Sequence, residues 1–226
     1  MKKIDYSKPL TPDCATPHPD AIFFDWDGTL VDGLPLVMAG YHHLASSFQV
    51  PDFSVEDIKK FMRRSARELF PELFGKRAAD AQKAYYDFVM REHINFFSPL
   101  DGAEDFLREM NRNNVPLAVI SNRRHDLLVL EIKERGWDIY FSSIVGAGQA
   151  AFDKPKADPL LLARDEAGLT STDVIWYVGD SETDMVAALA AGMVPVFVEG
   201  GMRRLSDCHN IGIYHHSFAC VRDIHL

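Results

Sequence analysis

Phe23-Phe24-Asp25-Trp26-Asp27-Gly28-Thr29-Leu30-Val31-Asp32 is the stretch on which the reading of this chain turns. Residues 21–24 are apolar and half aromatic, as expected of a parallel strand covered on both faces, and Gly28-Thr29 supplies the turn that follows. Asp25 and Asp27 therefore fall at the carboxyl end of a buried strand, the edge at which open α/β sheets bind their ligands. Two carboxylates so close together in apolar surroundings repel one another, and a divalent cation or a proton on one of them relieves the conflict.

Outward from this strand the pattern alternates. Residues 115–120 form a second apolar run ending at Ser121-Asn122, and residues 141–145 form a short one before Asp153-Lys154-Pro155. Residues 174–178 form the most hydrophobic run and lead into Gly179-Asp180-Ser181-Glu182-Thr183-Asp184, and residues 194–198 and 211–214 have the composition of the remaining strands. Helical periods lie between them at 103–110, 126–135, 159–167 and 185–191, with Gly136 and Gly192 as stops. Strand and helix alternate without internal repeats, which predicts an α/β fold with a doubly wound, Rossmann-like parallel sheet.

Residues from Gly33 to about position 97 break this alternation. Leu36, Ala39, Gly40, His43 and Leu44 share one helical face, Ala81, Ala84, Tyr85, Phe88 and Val89 another, and Ser54 with Asp57 has the spacing of a capping box. An all-helical insertion is expected there. Residues 1–20, with prolines at 9, 12, 17 and 19, read as an extended arm.

Bulk properties narrow the classes of function. At 226 residues and 47% hydrophobic content the chain can bury one full α/β domain plus a smaller insertion. A net charge of -9, from 33 acidic against 24 basic residues, argues against nucleic acid as a partner, so any phosphate site must be local. Cys14, Cys208 and Cys220 have neither zinc-knuckle spacing nor an even pairing, which fits a reducing cytosol. No apolar run follows Lys2 and Lys3, and none approaches the roughly 20 residues of a membrane span. The expectation is a soluble, unprocessed cytoplasmic protein with no membrane partner. His42-His43 and His215-His216 lack partners at metal spacing and are expected on the surface or the insertion.

Asp-x-Asp-Gly-Thr-Leu-Val-Asp resembles the first motif of the haloacid dehalogenase superfamily, phosphatase branch, and Ser121, Lys154-Pro155 and Asp180 to Asp184 are similar to its remaining motifs in the family's chain order. The resemblance covers nearly the whole chain after residue 20, and phosphoglycolate-phosphatase-like members are the nearest match. It implies a catalytic core at 21–33 and 98–226, carrying a helical cap at 34–97 that covers the site and selects the substrate. Asp25 would be the nucleophile and Asp27 the general acid and base. Lys154, which directly precedes Pro155 as the motif requires, rather than Lys156, would offset the charge of nucleophile and phosphoryl group. Thr29, Ser121 and Asn122 would contact the substrate. Arg63 and Arg64, in Phe61-Met62-Arg63-Arg64-Ser65-Ala66-Arg67-Glu68, lie where the family's substrate loop lies and could hold a second anionic group, a solvated basic face being the alternative.

Asp180 and Asp184 stand at i and i+4, and they meet on one side of a helix's first turn. Magnesium takes oxygen ligands, so Asp25, the backbone carbonyl of Asp27 and Asp180 are the expected protein ligands, with Asp184 in the same shell or holding Lys154. The function implied is magnesium-dependent hydrolysis of a small phosphorylated metabolite through an aspartyl-phosphate. A phosphomutase on the same scaffold is the nearest rival. A non-catalytic phosphate-binding module is less consistent with a paired nucleophile and acid.

Overall fold

The computed structural model describes residues 18–96, 98–199 and 216–224. Most of the arm expected at 1–20, the strand expected at 211–214, His215, Cys14 and Cys208 lie outside them. Six parallel strands form the main sheet: β1 (Ala21–Phe24), β4 (Leu117–Arg124), β5 (Ser143–Ala147), β6 (Ile175–Gly179), β7 (Val194–Val198) and β8 (His216–Phe218), in the spatial order β5-β4-β1-β6-β7-β8. The chain winds outward from β1 first to one side and then to the other, so β1 stands at the topological switch point.

Burial on both faces explains why β1 is uniformly apolar. Ile22 and Phe24 pack on one side with α5 (Ala103–Arg112) and α6 (His125–Glu134), through Phe106, Leu107, Leu128 and Ile132. Ala21 and Phe23 face the other way, against Leu160 and Ala163 of α7 (Asp158–Glu166) and Ala187 and Ala188 of α8 (Glu182–Ala190). The expected doubly wound α/β sheet is therefore present. Boundaries differ locally. β4 continues through the polar residues Ser121 to Arg124, because Arg124 pairs with Ala147 of β5 across a register shift. α8 begins at Glu182 rather than 185, since Ser181 caps it in extended backbone and exchanges hydrogen bonds with Asp184.

Between β2 (Val31–Asp32) and β3 (Ser98–Pro99), which pair antiparallel as a two-stranded neck, the chain forms four helices: α1 (Leu34–Phe48), α2 (Val55–Phe61), α3 (Ala66–Phe74) and α4 (Ala78–Phe96). Ser54 starts α2 as its spacing predicts, its hydroxyl oxygen accepting from the Asp57 amide at 3.1 Å. These helices close around their own apolar cluster, which includes Leu36, Leu44, Ile58, Phe70 and Val89. Leu127, from α6 of the sheet domain, is buried in the same cluster. His43 stacks on Phe88 within the insertion and His42 pairs with Asp52 on its surface. Among the described residues no helix is long and apolar enough to cross a membrane.

Leu127 thus joins the two cores. Leu127→Ala is expected to cost about 2–5 kcal/mol in urea unfolding, the range for a buried leucine, and to increase proteolysis within the helical insertion relative to the sheet domain. A loss confined to the sheet domain would contradict this placement.

Candidate active site

Four strand ends converge on one edge of the sheet. Asp25 directly follows β1, Ser121 lies in the carboxyl half of β4, Lys154 sits in the loop between β5 and α7, and Asp180 directly follows β6. Asp184, in the first turn of α8, comes back over the end of β6. Asp25, Lys154, Asp180 and Asp184 are between 1 and 8% exposed. The Lys154 ammonium, which has three protons to give, donates to Asp25 Oδ1 at 2.7 Å, Asp184 Oδ1 at 2.7 Å and the Tyr177 hydroxyl at 2.9 Å. The Tyr177 hydroxyl in turn donates a hydrogen bond to the carbonyl of Ile120 at 2.9 Å. Lys156 is exposed and takes no part.

The charges in this cluster are set by burial and by each other. Burial first and the neighbouring Asp184 next push the Asp25 carboxyl up to about 7, against the opposing pull of Lys154. Burial works against the Lys154 charge, but Asp184 and Asp25 hold its pKa well above the ordinary lysine value. Asp184 is fully engaged, because its second oxygen accepts from the Ser181 amide at 3.1 Å and from the Ser181 hydroxyl.

Asp27 lies apart from this cluster. Its two carboxylate oxygens are gripped by Arg123, Nε reaching Oδ2 at 3.0 Å and Nη2 reaching Oδ1. The buried Arg123 side chain also donates to Glu131 at 3.0 Å, and Glu131 accepts from the Trp26 indole at 2.9 Å, closing a chain back onto the catalytic loop. Burial opposes the guanidinium charge and Asp27 and Glu131 restore it, while burial pushes Glu131 up to about 7. Gly33 is required here: a Cβ at that position would fall 1.7 Å from Asp27 Oδ1. Sequence reasoning missed Arg123, Glu131 and Tyr177. The available signal was Glu131 itself, a charged residue on the apolar stripe of Leu127, Leu128 and Ile132.

The remaining expected residues are placed unevenly. Ser121 lines the cavity above Asp25, its hydroxyl oxygen accepting from the Arg123 amide at 3.1 Å. Asn122 also lines it, but its side-chain amide is spent on protein, at 3.0 Å each to the Lys154 amide, the Lys154 carbonyl and the Arg63 carbonyl, so it fastens three segments and has no donor left for substrate. Thr29 is buried and is not among the lining residues, contrary to the expected substrate contact. Arg64 lines the cavity but is already paired. It pairs bidentately with Glu72 at 2.7 and 2.8 Å, and Arg67 likewise with Asp153, because carboxylates of α3 and of the Lys154 loop lie within reach. Arg63 keeps a buried Nε with no partner in the cavity wall.

Asp25, Asp180 and Asp184 can each bring one carboxylate oxygen within 4.8 Å of the others. All three are buried oxygen donors at one strand edge, and such donors suit a hard divalent cation such as magnesium. The Asp27 carboxylate is turned to Arg123, which leaves its backbone carbonyl as the group expected to face the metal.

Residues 22–198 match the family described as haloacid dehalogenase-like hydrolase. The chain belongs to that family. It is 29% identical over 196 residues to a phosphoglycolate phosphatase of Xanthomonas campestris pv. campestris, covering 84% of this chain and 87% of that one. It is 26% identical over 172 residues to pyrophosphatase PpaX of Oceanobacillus iheyensis, covering 76% and 79%. Among solved structures, CbbY from Rhodobacter sphaeroides in complex with phosphate superposes with a TM-score of 0.79 at 18% identity, over 91% of this chain and 96% of that one. A hydrolase from Pseudomonas syringae gives 0.78 at 19%, over 90% and 94%. This haloacid dehalogenase-like protein is an enzyme, a phosphatase of the phosphoglycolate-phosphatase-like branch.

Since the folded Asp25 binds its proton more tightly than the unfolded chain, it supports the fold below about pH 4 and costs stability as pH rises towards 7 and beyond. In chelator at pH 8, Asp25→Asn is expected to melt above the wild type, by roughly 2–4 °C for each kcal/mol recovered, with the gap closing at pH 5. A lower melting temperature than wild type at pH 8 would show that the Lys154 attraction outweighs burial.

Proposed function

We propose that this enzyme is a magnesium-dependent phosphatase that hydrolyses the monoester of a small, phosphoglycolate-like metabolite through an aspartyl-phosphate. The observation that carries the reading is the buried Asp25 carboxylate held 2.7 Å from Lys154 beneath a cavity of about 90 Å³. Asp25 attacks phosphorus, the bond to the leaving oxygen breaks, and Asp27 supplies the proton that this oxygen takes up. Water then attacks the aspartyl-phosphate with Asp27 as base, releasing phosphate and restoring both carboxyls. Arg123 orients Asp27 for both steps. Lys154 and the Ser121 hydroxyl face the phosphoryl oxygens, and Asp184 keeps Lys154 in place.

Magnesium would be held by Asp25, Asp180 and the Asp27 carbonyl, and would supply charge neutralisation for the phosphoryl group. Acid–base help is typically worth only about 10²- to 10⁴-fold, whereas phosphate monoesters are among the slowest substrates to hydrolyse unaided, so most of the acceleration falls to these positive groups. Residues 34–97 act as the cap and residues 21–33 with 98–226 as the catalytic core. The relatives' names support the substrate class, since they include phosphoglycolate phosphatases.

Asp25→Asn should lower phosphate release from 2-phosphoglycolate by about 10³-fold or more while the protein stays folded. Chelation should remove wild-type activity and magnesium restore it. Substantial turnover by a folded Asp25→Asn enzyme, or undiminished turnover in excess chelator, would overturn this mechanism.

A further inference from the structure

Glu131 is fully buried on the apolar stripe of α6, beside Leu127, Leu128 and Ile132, and no step of the hydrolysis uses it. A buried ion pair is often no more stabilising than apolar side chains of the same volume, so stability alone does not account for an acid at this place. Its two oxygens are divided between donors from two neighbouring segments. One accepts from Arg123 Nη1 at 3.0 Å, near the carboxyl end of β4, and the other from the Trp26 indole at 2.9 Å, in the loop after β1.

Arg123 is thereby held from two sides. Glu131 takes Nη1, and the edge formed by Nε and Nη2 is the one that meets Asp27. Gly33 leaves the space for that meeting, since a Cβ there would lie 2.7 Å from Arg123 Nη2 as well as against the Asp27 carboxylate. Asp27 and Arg123 line the cavity above Asp25, whereas Glu131 and Trp26 are not among its lining residues. Glu131 therefore reaches the acid only through the guanidinium.

We infer that Glu131 is a positioning residue for the acid–base step: from α6 it fixes the Arg123 guanidinium, and through it the direction in which Asp27 gives and takes its proton. This rests on the phosphatase reading for the step that Asp27 serves. Trp26 completes the arrangement. It stands between Asp25 and Asp27 in the chain, so the second oxygen of Glu131 is tied to the same loop whose acid the first oxygen helps to aim. Glutamine cannot replace this carboxylate. Its amide offers one acceptor oxygen and one donor nitrogen, so against two N–H groups it can satisfy only one.

The leaving group separates positioning from packing. When the phosphorus–oxygen bond of 2-phosphoglycolate breaks, the electron pair goes to an alkoxide oxygen, a strong base that takes the Asp27 proton. Acetyl phosphate, equally small, releases acetate, a weak base that leaves without one. With magnesium, at pH 8 and so above the value of about 7 to which burial pushes Glu131, the two esters are compared in wild type and in Glu131→Gln. Glu131→Gln should lower kcat/KM for 2-phosphoglycolate about tenfold or more relative to that for acetyl phosphate, part of the roughly 10²- to 10⁴-fold that a placed acid supplies. The ratio is internal to each protein, which removes errors in active-enzyme concentration. A crystal structure of Glu131→Gln should show the Asp27 carboxylate released from the Arg123 fork, with Asp25 and Lys154 in place. Equal losses on both esters, no loss on either, or an Asp27 carboxylate unmoved in the variant would overturn the inference. If Glu131→Gln does not fold, Trp26→Phe, which removes the indole donor, decides by the same ratio: a selective loss on 2-phosphoglycolate supports the inference and an unchanged ratio overturns it. Turnover of neither ester by the wild type would overturn the phosphatase reading, and the position of Asp27 in the variant crystal would then decide the role of Glu131 by itself.

Discussion

Carboxylates forced together out of water are the constraint on which this molecule depends. At about 4 Å and an effective dielectric of 20, one pair of like charges costs about 4 kcal/mol, a large fraction of the 5–15 kcal/mol by which a domain is stable. Asp25, Asp180 and Asp184 nevertheless meet at the ends of β1 and β6, because those strands are neighbours in a sheet whose apolar faces are both buried. Lys154 reduces the conflict without ending it. Its ammonium is shared between Asp25 and Asp184, and Asp25 still holds its proton to about pH 7. The fold thus gathers buried carboxylates at the edge of the sheet where a cation and a phosphoryl group can approach.

The two acids of the opening loop are separated by environment rather than by distance along the chain. Asp25 is drawn into the acidic cluster, while Asp27 is turned away by a bidentate guanidinium that is itself anchored on Glu131 and, through it, on Trp26. Pairs of titratable groups held in unlike surroundings are how one site assigns different proton roles to the same residue type. Trp26, placed between the two acids in sequence, is fully buried against Trp137 and ties the loop to α6.

The helical insertion is fastened to the site at points that touch the catalytic segments themselves. The Arg63 carbonyl receives Asn122 and Thr183, Arg67 grips Asp153 next to Lys154, and Leu127 shares the insertion's core. Any movement of the insertion therefore breaks contacts with residues one position away from the reacting groups. The partly exposed Arg67–Asp153 pair has one partner in solvent and one buried, so its strength is less than its short distances suggest.

What the sequence determined by itself was local and periodic. Uninterrupted apolar runs specified the strands, their alternation with helical periods specified a doubly wound sheet, and Asp25, Asp27, Asp180 and Asp184 could be named because each follows such a run, whereas Lys154 was named through the resemblance of Lys154-Pro155 to a family motif. Ser54 announced the start of α2 for the same reason, since a cap is a contact across three residues. Only the tertiary structure decided which charges meet. Arg64 and Arg67 looked equivalent to Arg63 in sequence, yet Glu72 and Asp153 claim the first two, while Arg63 keeps a buried Nε without a hydrogen bond. Arg123 and Asp27 are 96 residues apart, and Lys154 and Asp25 are 129 apart. Periodicity records which face of an element is buried. Partnership between side chains depends on the closure of long loops, and no local pattern carries it.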